Sequence, residues 1–167
     1  KHHLKSQKEA NMISWTKLIN GKREGTDDLR FPSSNNPNTV IVWNVTERCN
    51  LKCLHCYYDA KEKASPLELD TKEGQNFIKD VARFKIAVLI FSGGEPLLRK
   101  DFFTLARFAK DSGINIALST NGTLITQDLA KKIRDSGFHY VGISLDGLEE
   151  INDKFRQSNG AFQKALK

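Results

Sequence analysis

From Thr39 onward the chain alternates between two apolar patterns: short continuous runs, and longer stretches where apolar residues recur at helical spacing. "TVIVWNV" (Thr39–Val45), "IAVLIF" (Ile86–Phe91), "INIALS" (Ile114–Ser119) and "HYVGISL" (His139–Leu145) predict four strands. The continuously apolar first run predicts burial on both faces of a parallel sheet, and the second reads as another buried strand. Asp70 with Glu73 resembles a capping box, opening a helix whose Phe77, Ile78, Val81, Ala82 and Phe84 share one face. A second helix is expected from Asp101 to Asp111, stopped by Gly113. A third takes Thr126 as its N-cap and ends at Gly137, and the remainder reads as two short helices.

Strands alternating with helices make the fold α/β, built of about four βα units around a parallel sheet. Residues 1–38 have weak periodicity and end in the loop-forming cluster "FPSSNNPN". They are read as an N-terminal extension, and residues 39–167 as the core. Four strands cannot close a barrel, and an open parallel sheet leaves an exposed edge. The sequence is therefore expected to be the N-terminal part of a longer enzyme.

Composition narrows the picture. The chain has 167 residues, 39% hydrophobic and 28% charged, enough for one domain with a real core. No run of 18 apolar residues suggests a membrane span. The formal charge of +6 suits an anionic partner. Yet the lysines are dispersed among acids with no basic stripe, so nucleic acid is not expected. All three cysteines sit together without a disulfide framework, which points to a reducing compartment and predicts a cytoplasmic protein.

In parallel α/β folds the chemistry lies in the loops after the carboxyl ends of the strands. Here those loops are "TERCNLKCLHC", "SGGEP" (Ser92–Pro96), "STNG" (Ser119–Gly122) and "SLDG" (Ser144–Gly147). Cys49, Cys53 and Cys56 have the spacing C-x3-C-x2-C. Clustered thiolates select zinc or an iron–sulfur cluster. Structural zinc wants four ligands, and His55, beside Cys56, is awkwardly placed to be the fourth. A 4Fe–4S cluster takes one thiolate per iron, so three would leave one iron open. In "SGGEP" the consecutive glycines permit close backbone approach to a ligand, and Glu95 can accept from a cationic amine. Asp146 in "SLDG" reads as a turn or cap residue.

C-x3-C-x2-C after the first strand and G-G-E-P after the second resemble the radical S-adenosylmethionine (SAM) enzymes, over the region from about Val40 to the C-terminus. The resemblance implies a partial (β/α) TIM-like barrel and a 4Fe–4S cluster held by Cys49, Cys53 and Cys56. Its fourth iron would be chelated by the methionyl part of SAM. Gly93, Gly94 and Glu95 then correspond to binders of the methionyl amino group. Ser144 and Arg156 match positions that contact the ribose or carboxylate, and Thr120 and Asn121 line the same pocket. His55 stands where the family often has an aromatic residue near the adenine. The implied reaction is reductive cleavage of SAM to a 5′-deoxyadenosyl radical that abstracts hydrogen from substrate. No catalytic acid or base of the protein is required for that step.

The segments "ISWTKLINGKREGTDDLRF" and "TVIVWNVTERCNLKCLHCY" resemble the enzymes that modify tetrapyrrole side chains in alternative haem and haem d1 biosynthesis. A polyanionic porphyrin would suit residues 1–31, which hold seven Lys/Arg against four Asp/Glu. Peptide-modifying maturases with auxiliary clusters in a C-terminal region share the core motifs and are the alternative. A zinc-binding interaction module is the alternative of another class. The implied partners are a tetrapyrrole or peptide substrate and a one-electron reductant such as flavodoxin or ferredoxin.

Overall fold

The computed structural model describes residues 39–167; the N-terminal extension assigned to residues 1–38 lies outside the described residues. Four strands form one parallel sheet in the order β1 (Val40–Thr46), β2 (Val88–Gly93), β3 (Ile116–Thr120) and β4 (Tyr140–Ile143). Each is followed by helix: α1 (Thr71–Arg83), α2 (Phe102–Asp111), α3 (Gln127–Asp135), then α4 (Glu149–Arg156) and α5 (Ala161–Leu166). The fold is the expected α/β half-barrel of four βα units.

The strand starts move by one or two residues from the apolar runs. Ile86 and Ile114 are buried but precede the paired segments, where the ladder begins at Val88 and Ile116. The expectation that β1 is buried on both faces fails. β2 is buried almost throughout, but β1 and β4 each pair on one side only, so their apolar runs are not covered on both faces. Val42 is 54% exposed and Ile143 43% exposed. Position in the sheet, which local pattern does not encode, decides burial.

The sheet's helix-side face carries the main core: Leu89, Phe91, Ile116 and Leu118 pack against Ile78, Val81, Phe102 and Leu105 from α1 and α2. The other face is smaller, with Val88, Ile90 and Ala117. The capping box on α1 is present in full: Glu73 N donates to Asp70 Oδ1 at 2.8 Å, and Asp70 N donates to Glu73 Oε2 at 2.9 Å. Phe84 departs from the expected face. It is the C-cap, where the chain leaves the helix, and its ring is 79% exposed.

Arg99, at the end of the short 3-10 turn Pro96–Leu98, ties the top of the fold together. Its guanidinium donates to both Asp101 carboxylate oxygens, to Val45 O at 2.7 Å and to Leu69 O at 2.8 Å. Asp101, expected to open α2, makes no side-chain cap hydrogen bond because its carboxylate is spent on Arg99 and on Thr71 Oγ1 at 2.7 Å. Among the described residues no helix is long and apolar enough to cross a membrane.

Candidate functional site

All four carboxyl-end loops reach one rim and enclose a cavity of about 450 Å³. The loop after β1 is fastened at both ends. Glu68 accepts from Thr46 Oγ1, Glu47 N and Ser65 N at 2.9, 2.8 and 3.1 Å. Cys49 N donates to Lys61 O at 2.8 Å, and Leu54 N donates to Phe155 O of α4 at 2.8 Å. The glycine loop lies directly on this segment: Gly94 N donates to Thr46 O and Glu95 N to Arg48 O, both at 2.8 Å.

Cys49 and Cys53 are half-buried and Cys56 is exposed, and all three face the cavity. Each sulfur has an N–H near it. Leu51 N lies 3.4 Å from Cys49 Sγ, Ala60 N 3.5 Å from Cys56 Sγ, and Arg156 Nη1 3.6 Å from Cys53 Sγ. Burial pushes the Cys49 thiol up, against the pull of the Leu51 N–H, with the neighbouring Glu95 carboxylate adding to the rise. A bound cation reverses that balance, since a coordinating thiol is deprotonated outright. Among the described residues no three His, Cys, Asp or Glu side chains are grouped to chelate a single ion. One thiolate per iron is the ligation of a 4Fe–4S cluster, and the donor set fits it.

Of the residues singled out from the sequence, all except Glu95 line the cavity: the cysteines, His55, Gly93, Gly94, Thr120, Asn121, Ser144 and Arg156. Glu95 lies beneath the rim with no exposed surface. Its carboxylate accepts from Thr120 Oγ1 and Asn121 N at 2.8 Å and from Leu97 N at 3.2 Å. Burial pushes this carboxyl up, and the three hydrogen bonds pull it back only in part. With its oxygens engaged, Glu95 braces the ends of β2 and β3 from below.

Two participants were not read as site residues. Asn50, inside the cysteine motif, joins Asn121 and Thr123: Asn121 Nδ2 donates to Asn50 Oδ1 at 3.0 Å, and Asn50 Nδ2 to Thr123 Oγ1 at 2.9 Å. Asp146, read as a turn residue, lines the cavity and lies 2.6 Å from Arg156 Nε and 3.4 Å from His55 Nε2. Its place in the strand-end motif "SLDG" was the available signal for Asp146. A polar residue between two ligand-type cysteines was the signal for Asn50.

Residues 43–167 match the model of the radical SAM superfamily. The chain is 48% identical over 168 residues to the Fe-coproporphyrin III synthase of Methanosarcina barkeri, covering 93% of this chain and 42% of that protein. It is 47% identical over 130 residues to the pre-heme d1 synthase of Dinoroseobacter shibae, covering 78% of this chain and 32% of that protein. The solved structure of native anSMEcpe with bound AdoMet superposes with a TM-score of 0.62 at 29% identity, covering 76% of this chain and 38% of the other. The chain thus spans less than half the length of these two relatives. With three thiols, a glycine loop and polar strand ends around one cavity, and a family match over three quarters of its length, the chain belongs to the radical SAM superfamily, whose enzymes use a 4Fe–4S cluster and S-adenosylmethionine.

Proposed function

We propose that Cys49, Cys53 and Cys56 hold a 4Fe–4S cluster whose open iron faces SAM, and that the enzyme acts on a tetrapyrrole side chain. The observation that carries the site is the convergence of four strand-end loops on a cavity with thiols on one wall and glycine backbone on another. When bound, the cluster and SAM supply reductive cleavage of the sulfonium and hydrogen abstraction from substrate. The protein's part is position and electrostatics.

Each residue has a defined task in this reading. The N–H groups of Leu51 and Ala60 and the Arg156 guanidinium stabilise thiolate charge. Gly93 and Gly94 offer backbone to the methionyl amino group, and their lack of a Cβ lets this loop seat closely against Thr46 O and Arg48 O. Glu95 acts from below, fixing the Thr120 and Asn121 walls. Ser144 and Arg156 face the ribose or carboxylate, and His55 with Leu51 and Leu145 gives the adenine a partly apolar surround. Electrons come from a small one-electron carrier of the flavodoxin or ferredoxin kind. The tetrapyrrole substrate is supported by the names of the two relatives, a coproporphyrin synthase and a haem d1 precursor synthase.

The test is anaerobic reconstitution with iron and sulfide, followed by EPR of the reduced protein with and without SAM. A cluster signal that shifts on adding SAM is expected, and serine at any of the three cysteine positions should abolish it. A single tightly bound zinc and no cluster would instead establish an interaction module. Turnover of tetrapyrroles bearing acetate or propionate side chains by the whole enzyme then tests the substrate.

A further inference from the structure

We propose that Asp146 is a positioning residue that fixes the Arg156 guanidinium against the Cys53 sulfur, and so raises the reduction potential of the cluster. The inference rests on the reading of Cys53 as an iron ligand.

Three elements meet here. The loop after β4 carries Asp146, the last turn of α4 carries Arg156, and the cysteine loop carries Cys53 and His55. The loop after β4 is itself rigidly placed. Asp146 N donates to Oδ1 of Asn152, a side chain that is only 1% exposed, at 3.1 Å. Gly147 follows with φ +144°, and a Cβ there would lie 3.0 Å from Ile151. The backbone bearing Asp146 therefore has little freedom.

Asp146 Oδ2 lies 2.6 Å from Arg156 Nε, in a pair whose side chains are 23% and 11% exposed. The two atoms meet as an ion pair without a well-directed hydrogen bond. The other carboxylate oxygen, Oδ1, lies 3.4 Å from His55 Nε2. Held by Nε, the guanidinium turns Nη1 toward Cys53 Sγ at 3.6 Å. A guanidinium has five N–H donors in a fixed fork, so Nη2 stays available for an anionic cofactor group. The α4 end is also anchored independently of charge, by Leu54 N donating to Phe155 O and by the His55 and Phe155 rings 5.6 Å apart.

Reduction adds one negative charge to a cluster. A cationic N–H donor on a ligating sulfur stabilises the reduced form more than the oxidised one, which raises the potential. An aspartate near the cluster, acting only as a charge, has the opposite effect. The two roles of Asp146 therefore predict opposite signs.

The experiment is an EPR-monitored redox titration of the reconstituted protein without SAM, so that a lost SAM contact cannot mimic the effect. Arg156→Gln should shift the reduction equilibrium about tenfold toward the oxidised form, 59 mV for a one-electron couple. Asp146→Asn should shift it in the same direction, and the double variant should go no further than Arg156→Gln alone. Arg156→Lys, which keeps the charge without the fork, should fall between. Iron and sulfide per chain and the circular dichroism spectrum confirm that each variant is folded and loaded. A rise in potential for Asp146→Asn, additive shifts, or no shift in fully loaded variants would overturn the inference while leaving the cluster reading intact. A parent protein that takes up no cluster would overturn both.

Discussion

The Glu95 carboxylate accepts the backbone N–H of Asn121 at 2.8 Å, reaching from the end of one strand to the end of the next. It takes Thr120 Oγ1 and Leu97 N as well, all out of solvent. Removing this acceptor strands buried donors, and each such loss costs about 1–3 kcal/mol. Glu95→Ala is therefore expected to destabilise the protein by about 3 kcal/mol in urea unfolding. An effect within about 0.5 kcal/mol, the scale of a neutral surface change, would mean that the carboxylate is no brace.

Two glycines with different constraints should respond differently to alanine. At Gly94 a Cβ would lie 2.3 Å from Arg48 O and 2.7 Å from Arg48 C, both backbone atoms of the cysteine loop. Neither can yield without moving that loop, so Gly94→Ala should lower both the melting temperature and the iron bound per chain. Gly113 has φ +81° but nothing within 4 Å of its Cβ position. Its alanine variant should lose about 1 kcal/mol from backbone strain and keep full iron loading. Equal iron loss at both positions would contradict the close contact at Gly94.

Asp101 supplies a pH signature. Burial alone would push its carboxyl up, but hydrogen bonds from Arg99 and Thr71 outweigh it and hold the group below the usual aspartate range. A carboxyl depressed in the folded state contributes stability that is present above its unfolded value, about 3.9, and is lost as pH falls through the lower native value. Urea midpoints of the parent should fall across that acid window more steeply than those of Asp101→Asn. Parallel curves would show that the Arg99 pair is not coupled to folding.

Asn121 joins the β3 loop to the cysteine loop through Asn50, and its Oδ1 accepts from Thr123 N at 2.9 Å. Asn121→Ala should leave the cluster assembled but loosen the wall beside it. A tenfold weaker Kd for SAM, about 1.4 kcal/mol, is expected by titration calorimetry. Unchanged affinity with unchanged cluster would remove Asn121 from the cofactor wall.

The strands, the capping box at Asp70 and the cysteine spacing were all legible in the sequence because each is a local pattern. Exposure of Val42 and Ile143 was not legible, since it depends on which strands are the sheet's edges. Glu95 shows another limit: a glutamate after two glycines suits either a ligand or a brace, and its hydrogen bonds to Thr120 and Asn121 cross 25 and 26 residues of sequence. Asp146 was hidden for a third reason. Its partner Arg156 lies ten residues on along a helix, and what they act on, Cys53, is 103 residues from Arg156 in the chain.

The sheet order β1-β2-β3-β4 follows the chain, so each βα unit adds beside its predecessor. During synthesis the cysteine loop leaves the ribosome first, and the guanidinium that meets Cys53 emerges 103 residues later. Over that interval the thiols are present without their opposing wall. Of the walls described, the one carried by α4 emerges last, so the order of strands also sets the order in which these loops can meet.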